Sequence, residues 1–210
     1  MSPGTVISDF GGVLTTPLIQ SFVAFQDQTG IAMETLGGAM QRISERDGRH
    51  PLYELEKGAL TEADFLTRIA DELEPDLGHR PEMHRFSEIY FEALEPNEAM
   101  IELMRELRGR SLRMALLTNN VREWEPLWRS MVPIDELFEI VVDSAFVGCR
   151  KPEPRIYEIV LERLGVDASG CLFVDDVEVN CDAARELGMT AVHFRDNEQA
   201  IAEIRAALPA

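Results

Sequence analysis

Apolar residues along this chain recur in two rhythms, and the places where one gives way to the other outline the fold. Five short runs are dense in aliphatic and β-branched residues: 4–9 (GTVISD), 112–118 (LRMALLT), 138–143 (FEIVVD), 171–175 (CLFVD) and 190–194 (TAVHF). Such runs, bounded by turn residues, predict strands buried on both faces. Between most of them apolar positions fall three and four apart, which predicts helices over 97–108, 153–164, 178–187 and 196–207. Gly109, Gly165 and Gly188 follow three of these stretches, and each is expected to end its helix in the left-handed conformation. Strands alternating with helices predict an α/β fold, a doubly wound, Rossmann-like parallel sheet.

Residues 17–91 break the alternation, with helical periodicity and no convincing strand. Within them Thr61 and Asp64 predict an N-terminal cap for the helix TEADFLTRIADEL. The expected organisation is a core of residues 1–16 and 92–210 carrying an inserted helical cap over 17–91. An insertion directly after the first strand stands above the carboxyl ends of the sheet, where doubly wound folds bind ligands.

Composition narrows the partners. With 210 residues and 45% hydrophobic content the chain has enough apolar material for a core. A net charge of -18 opposes nucleic acid and anionic membrane as partners. No stretch approaches the roughly 18 apolar residues of a membrane span, and MSPGTVISDF lacks a basic, apolar-cored leader, so a cytoplasmic location is expected. Cys149, Cys171 and Cys181 include no C-x-x-C pair, which suggests neither a disulfide framework nor a zinc site. Nothing selects between a monomer and a homodimer. The acidity also repels phosphorylated ligands, so a site for one must supply positive charge from a metal, a lysine or backbone N–H groups.

That requirement picks out four segments: Asp9 in ISDFGGVL, Thr118 in ALLTNN, Lys151 in GCRKPEPRIY, and Asp175-Asp176 in LFVDDVEVN. Like charges at Asp9, Asp175 and Asp176 are costly to bury unless a divalent cation neutralises them, and hard oxygen ligands select Mg²⁺. With Lys151, the Thr118 hydroxyl and loop N–H groups the cation would offset a phosphate's charge enough for a carboxylate to attack phosphorus. Gly11 and Gly12 let backbone approach such a ligand. They belong to no G-x-G-x-x-G motif, which disfavours a dinucleotide loop. In a response-regulator receiver the acidic pair precedes the phosphorylated Asp, whereas here it lies near the end of the chain.

The order Asp9, Thr118, Lys151, Asp175-Asp176 resembles the four motifs of the haloacid dehalogenase superfamily over nearly the whole chain. Residues 147–196 are similar to its sugar-phosphate phosphatases and to the phosphatase domain of soluble epoxide hydrolases. The resemblance implies a phosphatase acting on a small phosphorylated metabolite, with a sugar phosphate as first expectation. It makes Asp9 the nucleophile and, with the Gly11 carbonyl and Asp176, a Mg²⁺ ligand. It has Asp175 orient metal-bound water and Asn180 support the metal loop. Thr118 and the Asn119 N–H would hold phosphate, and Lys151 would bridge phosphate and Asp9. One departure stands out. Most phosphatases of the superfamily carry a second Asp where this chain has Gly11, a group that protonates the leaving oxygen. That leaves open a leaving group needing little protonation, a substitute acid from the cap or solvent, or a non-catalytic phosphometabolite-binding protein. A metal-independent C–halogen hydrolase is the further alternative, opposed by the paired carboxylates.

Other residues receive structural readings. His50, His79, His84 and His193 show no metal spacing. Arg42, Arg46, Arg49, His50 and Lys57 of the cap suit solvated helix faces as well as substrate contact. Trp124 and Trp128 are expected to pack or anchor a partner rather than bind ligand. Cys149 is expected to be inert, although the adjacent Arg150 and Lys151 could lower its thiol pKa.

Overall fold

In the computed structural model, which describes residues 3–209, the two rhythms resolve into five strands and twelve helices. These run β1 (Thr5–Ser8), α1 (Ile19–Thr29), α2 (Met33–Asp47), α3 (Pro51–Glu56), α4 (Glu62–Leu77), α5 (Phe86–Glu92), α6 (Glu98–Gly109), β2 (Arg113–Thr118), α7 (Glu125–Met131), α8 (Ile134–Leu137), β3 (Ile140–Asp143), α9 (Ser144–Val147), α10 (Pro154–Leu164), β4 (Cys171–Asp175), α11 (Glu178–Glu186), β5 (Thr190–His193) and α12 (Asn197–Ala207).

All strand pairs are parallel, in the order β3-β2-β1-β4-β5. Alternation along each strand explains the two layers. Val6, Met114, Leu116, Leu172 and Val174 face one apolar cluster, shared with α6 and α12, while Ile7, Ala115, Leu117 and Phe173 face a second, shared with α10 and α11. The chain steps from β1 to β2 to β3 on one side and then crosses to β4 on the other. This puts the topological switch point, where doubly wound sheets bind ligands, between β1 and β4.

The helical segment α1–α5 departs and returns over the carboxyl end of the sheet through two adjacent connections. Thr15 bridges Pro96, the Thr16 N–H donates to the Glu95 carbonyl at 2.8 Å, and Asn97 Nδ2 donates to the Val13 carbonyl at 2.9 Å. Thr61 Oγ1 accepts from the Asp64 N–H at 3.1 Å and caps α4 as the sequence suggests.

One helix stop differs. Gly165 and Gly188 have positive φ, but α6 runs through Gly109 and the left-handed residue is Ser111, at φ 65°. The turn closes two residues later because Arg110 and Ser111 still donate to carbonyls of the last helical turn.

Candidate active site

Four of the five strands end in a chemically active residue or deliver one immediately afterwards: Asp9 follows β1, and Thr118, Asp143 and Asp175 close β2, β3 and β4. Because parallel strands share a direction, all four side chains arrive at one edge. The Asp9 N–H donates to the Val174 carbonyl at 2.8 Å, which extends the ladder one residue and fixes Asp9 beside β4.

The carboxylates of Asp9, Asp175 and Asp176 offer oxygens within 4.8 Å of one another. Lys151, buried in the loop after α9, places Nζ 2.6 Å from Asp9 Oδ1 and 2.6 Å from Asp175 Oδ2. Asp175 is thereby fully engaged, since its Oδ1 accepts from the Val177 N–H at 2.8 Å and from Asn180 Nδ2 at 3.0 Å. Asp9 and Asp176 keep oxygens free. Gly12 makes this approach possible: it has φ +75°, and a Cβ there would lie 2.2 Å from Asp176 Oδ2.

Electrostatics matches the geometry. Burial, with the Asp175 charge adding and Lys151 opposing, holds Asp9 and Asp176 above the ordinary carboxylate range. For Lys151 burial acts downward, but the Asp175 and Asp9 charges outweigh it and the ammonium is held above its ordinary value. Three carboxylates against one ammonium leave an excess of negative charge that an all-oxygen, divalent-cation site would relieve. The donor set therefore fits Mg²⁺, with Asp9 and Asp176 as the carboxylates available to hold it.

Asn119 acts on the lysine loop through its side chain. Its Oδ1 accepts from the Lys151 N–H at 2.8 Å and its Nδ2 donates to the Lys151 carbonyl at 3.0 Å. This pair of hydrogen bonds ties β2's end to the residue that bridges the acids, a role the sequence did not suggest.

Several site residues escaped sequence reasoning. Glu56, at the end of α3, accepts from Arg150 Nε at 2.5 Å, and its backbone carbonyl accepts from Ser144 Oγ at 2.6 Å. Arg150 also stacks 4.0 Å over the Tyr53 ring. Burial pushes the Glu56 carboxyl up, against the Arg150 charge. Tyr53 and Glu56, rather than Arg42, Arg46, Arg49, His50 or Lys57, bring the α1–α5 segment to the acidic cluster: both line, with Asp9, Lys151 and Asp176, a pocket of about 560 Å³ with five charged residues in its wall. Arg42 and Arg46 pair with Glu72 on the surface and Lys57 with Glu54. Cys149 is buried and its thiol is pushed up by that burial, so the neighbouring cations do not activate it. Trp128 is buried against Phe10, with ring centroids 5.4 Å apart. Trp124 packs too, yet it also lines a second cavity above the sheet.

A parallel sheet presenting an acidic trio and a bridging lysine at its switch point defines a hydrolase of the haloacid dehalogenase type. The family model for haloacid dehalogenase-like hydrolases matches residues 3–188, and the chain belongs to that family. Its relatives include the phosphatase MT3486 of Mycobacterium tuberculosis, 30% identical over 91% of this chain and 87% of that protein. It is 29% identical to mouse acyl-CoA dehydrogenase family member 10 and 26% identical to rat bifunctional epoxide hydrolase 2, over 97% and 93% of this chain. The chain spans only 19% and 37% of the lengths of those two proteins. Among solved structures, a HAD family enzyme from Bacteroides thetaiotaomicron in complex with magnesium and inorganic phosphate superposes with TM-score 0.66 at 23% identity, covering 91% of this chain and 93% of that one. An L-2-haloacid dehalogenase from Xanthobacter autotrophicus gives 0.65 at 18%, covering 99% and 85%. At these identities the structures establish the fold alone.

Proposed function

We propose that this chain is a Mg²⁺-dependent phosphatase that hydrolyses a small phosphomonoester through phospho-Asp9. The observation that carries this reading is the meeting of Asp9, Asp176 and Lys151 in one pocket, an acceptor for phosphorus beside charges able to hold a cation and a phosphate. Relatives named as phosphatases support it.

In the first step a carboxylate oxygen of Asp9 forms a bond to phosphorus while the bond to the ester oxygen breaks, and the leaving oxygen takes a proton. In the second, water attacks the same phosphorus, releasing inorganic phosphate and restoring Asp9. Lys151 holds phosphate charge beside Asp9, Thr118 and the Asn119 N–H hold the remaining phosphate oxygens, and Asp175 keeps the lysine and the loop at Val177 in place. Asn180 holds Asp175 in turn. Asp9, Asp176 and the Gly11 carbonyl would hold the cation, which when bound offsets the charge of both carboxylate and phosphate. The α1–α5 segment is the cap that excludes water from the reacting groups.

Gly11 favours one second reading, a phosphometabolite-binding protein without turnover. A dehalogenase reading is opposed by the acidic trio, whose uncompensated charge would hinder attack on carbon without a cation. Release of inorganic phosphate across a panel of phosphate esters, with Mg²⁺ and with EDTA, tests the proposal. Folded protein with no Mg²⁺-dependent release on any ester would overturn it.

A further inference from the structure

Adjoining this pocket is a second cavity of about 180 Å³, lying between α1–α5 and the sheet edge, with one charged residue in its wall where the first has five. Gly11, Leu18, Glu56 and Asn119 line both and form the neck between them. Beyond the neck the wall is apolar, built from residues such as Phe22, Leu36, Leu55, Phe86, Phe91 and Trp124. Aromatic packing makes it rigid: the rings of Phe86, Tyr90 and Phe91 lie 6.0, 5.0 and 5.4 Å from that of Trp124.

Among the described residues Glu56 is the only charged side chain in this wall. Several other polar groups are taken, whereas the Thr118 and Tyr90 hydroxyls and Asn120 Nδ2 make no hydrogen bond among the described residues. Asn119 spends its amide on Lys151, Asn120 Oδ1 accepts from the Val121 N–H at 2.9 Å, and Trp124 Nε1 donates to Glu62 Oε1 at 2.8 Å. A sugar placed here could reach the three unbonded groups and Glu56, but its remaining hydroxyls would face the apolar wall without partners, each a loss of about 1–3 kcal/mol.

We infer that the group released from phosphate is hydrocarbon-like: the site takes phosphomonoesters of apolar alcohols, with phosphate at Asp9 and the chain threaded past Gly11 and Leu18 into the apolar cavity. This rests on the phosphatase reading for its chemistry but on the cavity alone for its specificity, and it replaces the sugar phosphate that the sequence suggested. Gly11 gains a purpose, since a carboxylate there would stand in the neck. A dry cavity of roughly 150 Å³ holds benzene, so this one has room for one ring or about six to eight carbons.

The test is a pair of chain-length series in Mg²⁺: kcat/KM for methyl to dodecyl phosphate, and Kd by calorimetry for the matching alkylphosphonates, which cannot be hydrolysed. Both are expected to improve about threefold to fourfold per methylene until roughly eight carbons and then level. Met40 and Leu52 are only partly buried cavity residues, on α2 and α3. Met40→Trp is expected to move the plateau to shorter chains, and Leu52→Gln to flatten the slope. Flat phosphonate binding, or glucose phosphates used as well as octyl phosphate, would overturn the inference and leave the phosphatase reading standing. Chain-dependent binding without hydrolysis of any ester would sustain the cavity's specificity and remove the phosphatase.

Discussion

Leu18 stands over Gly11, its Cδ1 only 3.0 Å from where a Cβ would be. Position 11, where the family resemblance raises the expectation of an acid, is here packed by a leucine side chain. A side chain at 11 meets the flexible end of Leu18, which has to yield by a few tenths of an ångström.

Gly11→Asp is therefore expected to lower kcat/KM on alkyl phosphates, because the new carboxylate crowds Leu18 and narrows the apolar neck. Steady-state rates of the variant check this. A large rise would show that the natural site lacks an acid altogether.

Glu56 is the carboxyl group of the α1–α5 segment that reaches the neck, and burial raises its pKa against the opposing Arg150 charge, the direction that suits a proton donor. Glu56→Gln is expected to slow alkyl phosphates by roughly 10² and to slow p-nitrophenyl phosphate, whose leaving group needs no proton, far less. Equal losses on both esters would assign Glu56 to holding Arg150 alone.

The proposed Mg²⁺ site exists only in the folded acidic cluster, so Mg²⁺ is expected to raise Tm, and to do so less as pH falls and protons compete for Asp9 and Asp176. Asp176→Asn is expected to lose that increment. Both acids are held above their ordinary range, so their ionised forms cost stability in metal-free protein near neutral pH. The same variant is then expected to melt higher than wild type in EDTA. Scanning calorimetry with and without Mg²⁺ reads both effects, and an unchanged increment would remove Asp176 from the metal site.

Asp143 gives a pH dependence of its own, apart from the acidic trio. Burial raises its carboxyl from 3.8 to about 6, and Oδ2 has no hydrogen-bond partner while Oδ1 caps Ala145 at 2.9 Å. The folded state holds this proton more tightly than the unfolded chain. Its contribution is therefore fully present below about pH 4 and lost as pH rises through about 6, with a ceiling of roughly 3 kcal/mol. Asp143→Asn keeps the cap and removes the titration. Urea unfolding across that range is expected to show wild type losing stability relative to the variant, and parallel curves would refute the assignment.

The acidic trio and the sheet were legible because each is local: a β-branched run forms a buried strand, and the residue that ends or succeeds it falls at the carboxyl edge; Lys151, in the loop after α9, was legible only through its place in the motif order. Ser111 ending α6 in place of Gly109 shows the limit of that logic, since the N–H groups of Arg110 and Ser111 carry the turn two residues past the glycine. The cavity was not legible at all. Leu55 and Glu56 are neighbours on α3, and only the packing of that helix against Ser144 and Arg150 turns one into apolar wall and the other into the neck. Trp124 packs as its spacing suggests, yet its ring also faces the space where a ligand would lie, which periodicity cannot report.

Rapid mixing with a labelled phosphate ester, followed by acid quench, tests the covalent role of Asp9 most directly. A burst of phosphoprotein approaching one phosphate per chain is expected in Mg²⁺ and none with Asp9→Asn or EDTA. Steady hydrolysis with no labelled protein, together with an Asp9→Asn variant that still turns over, would contradict it.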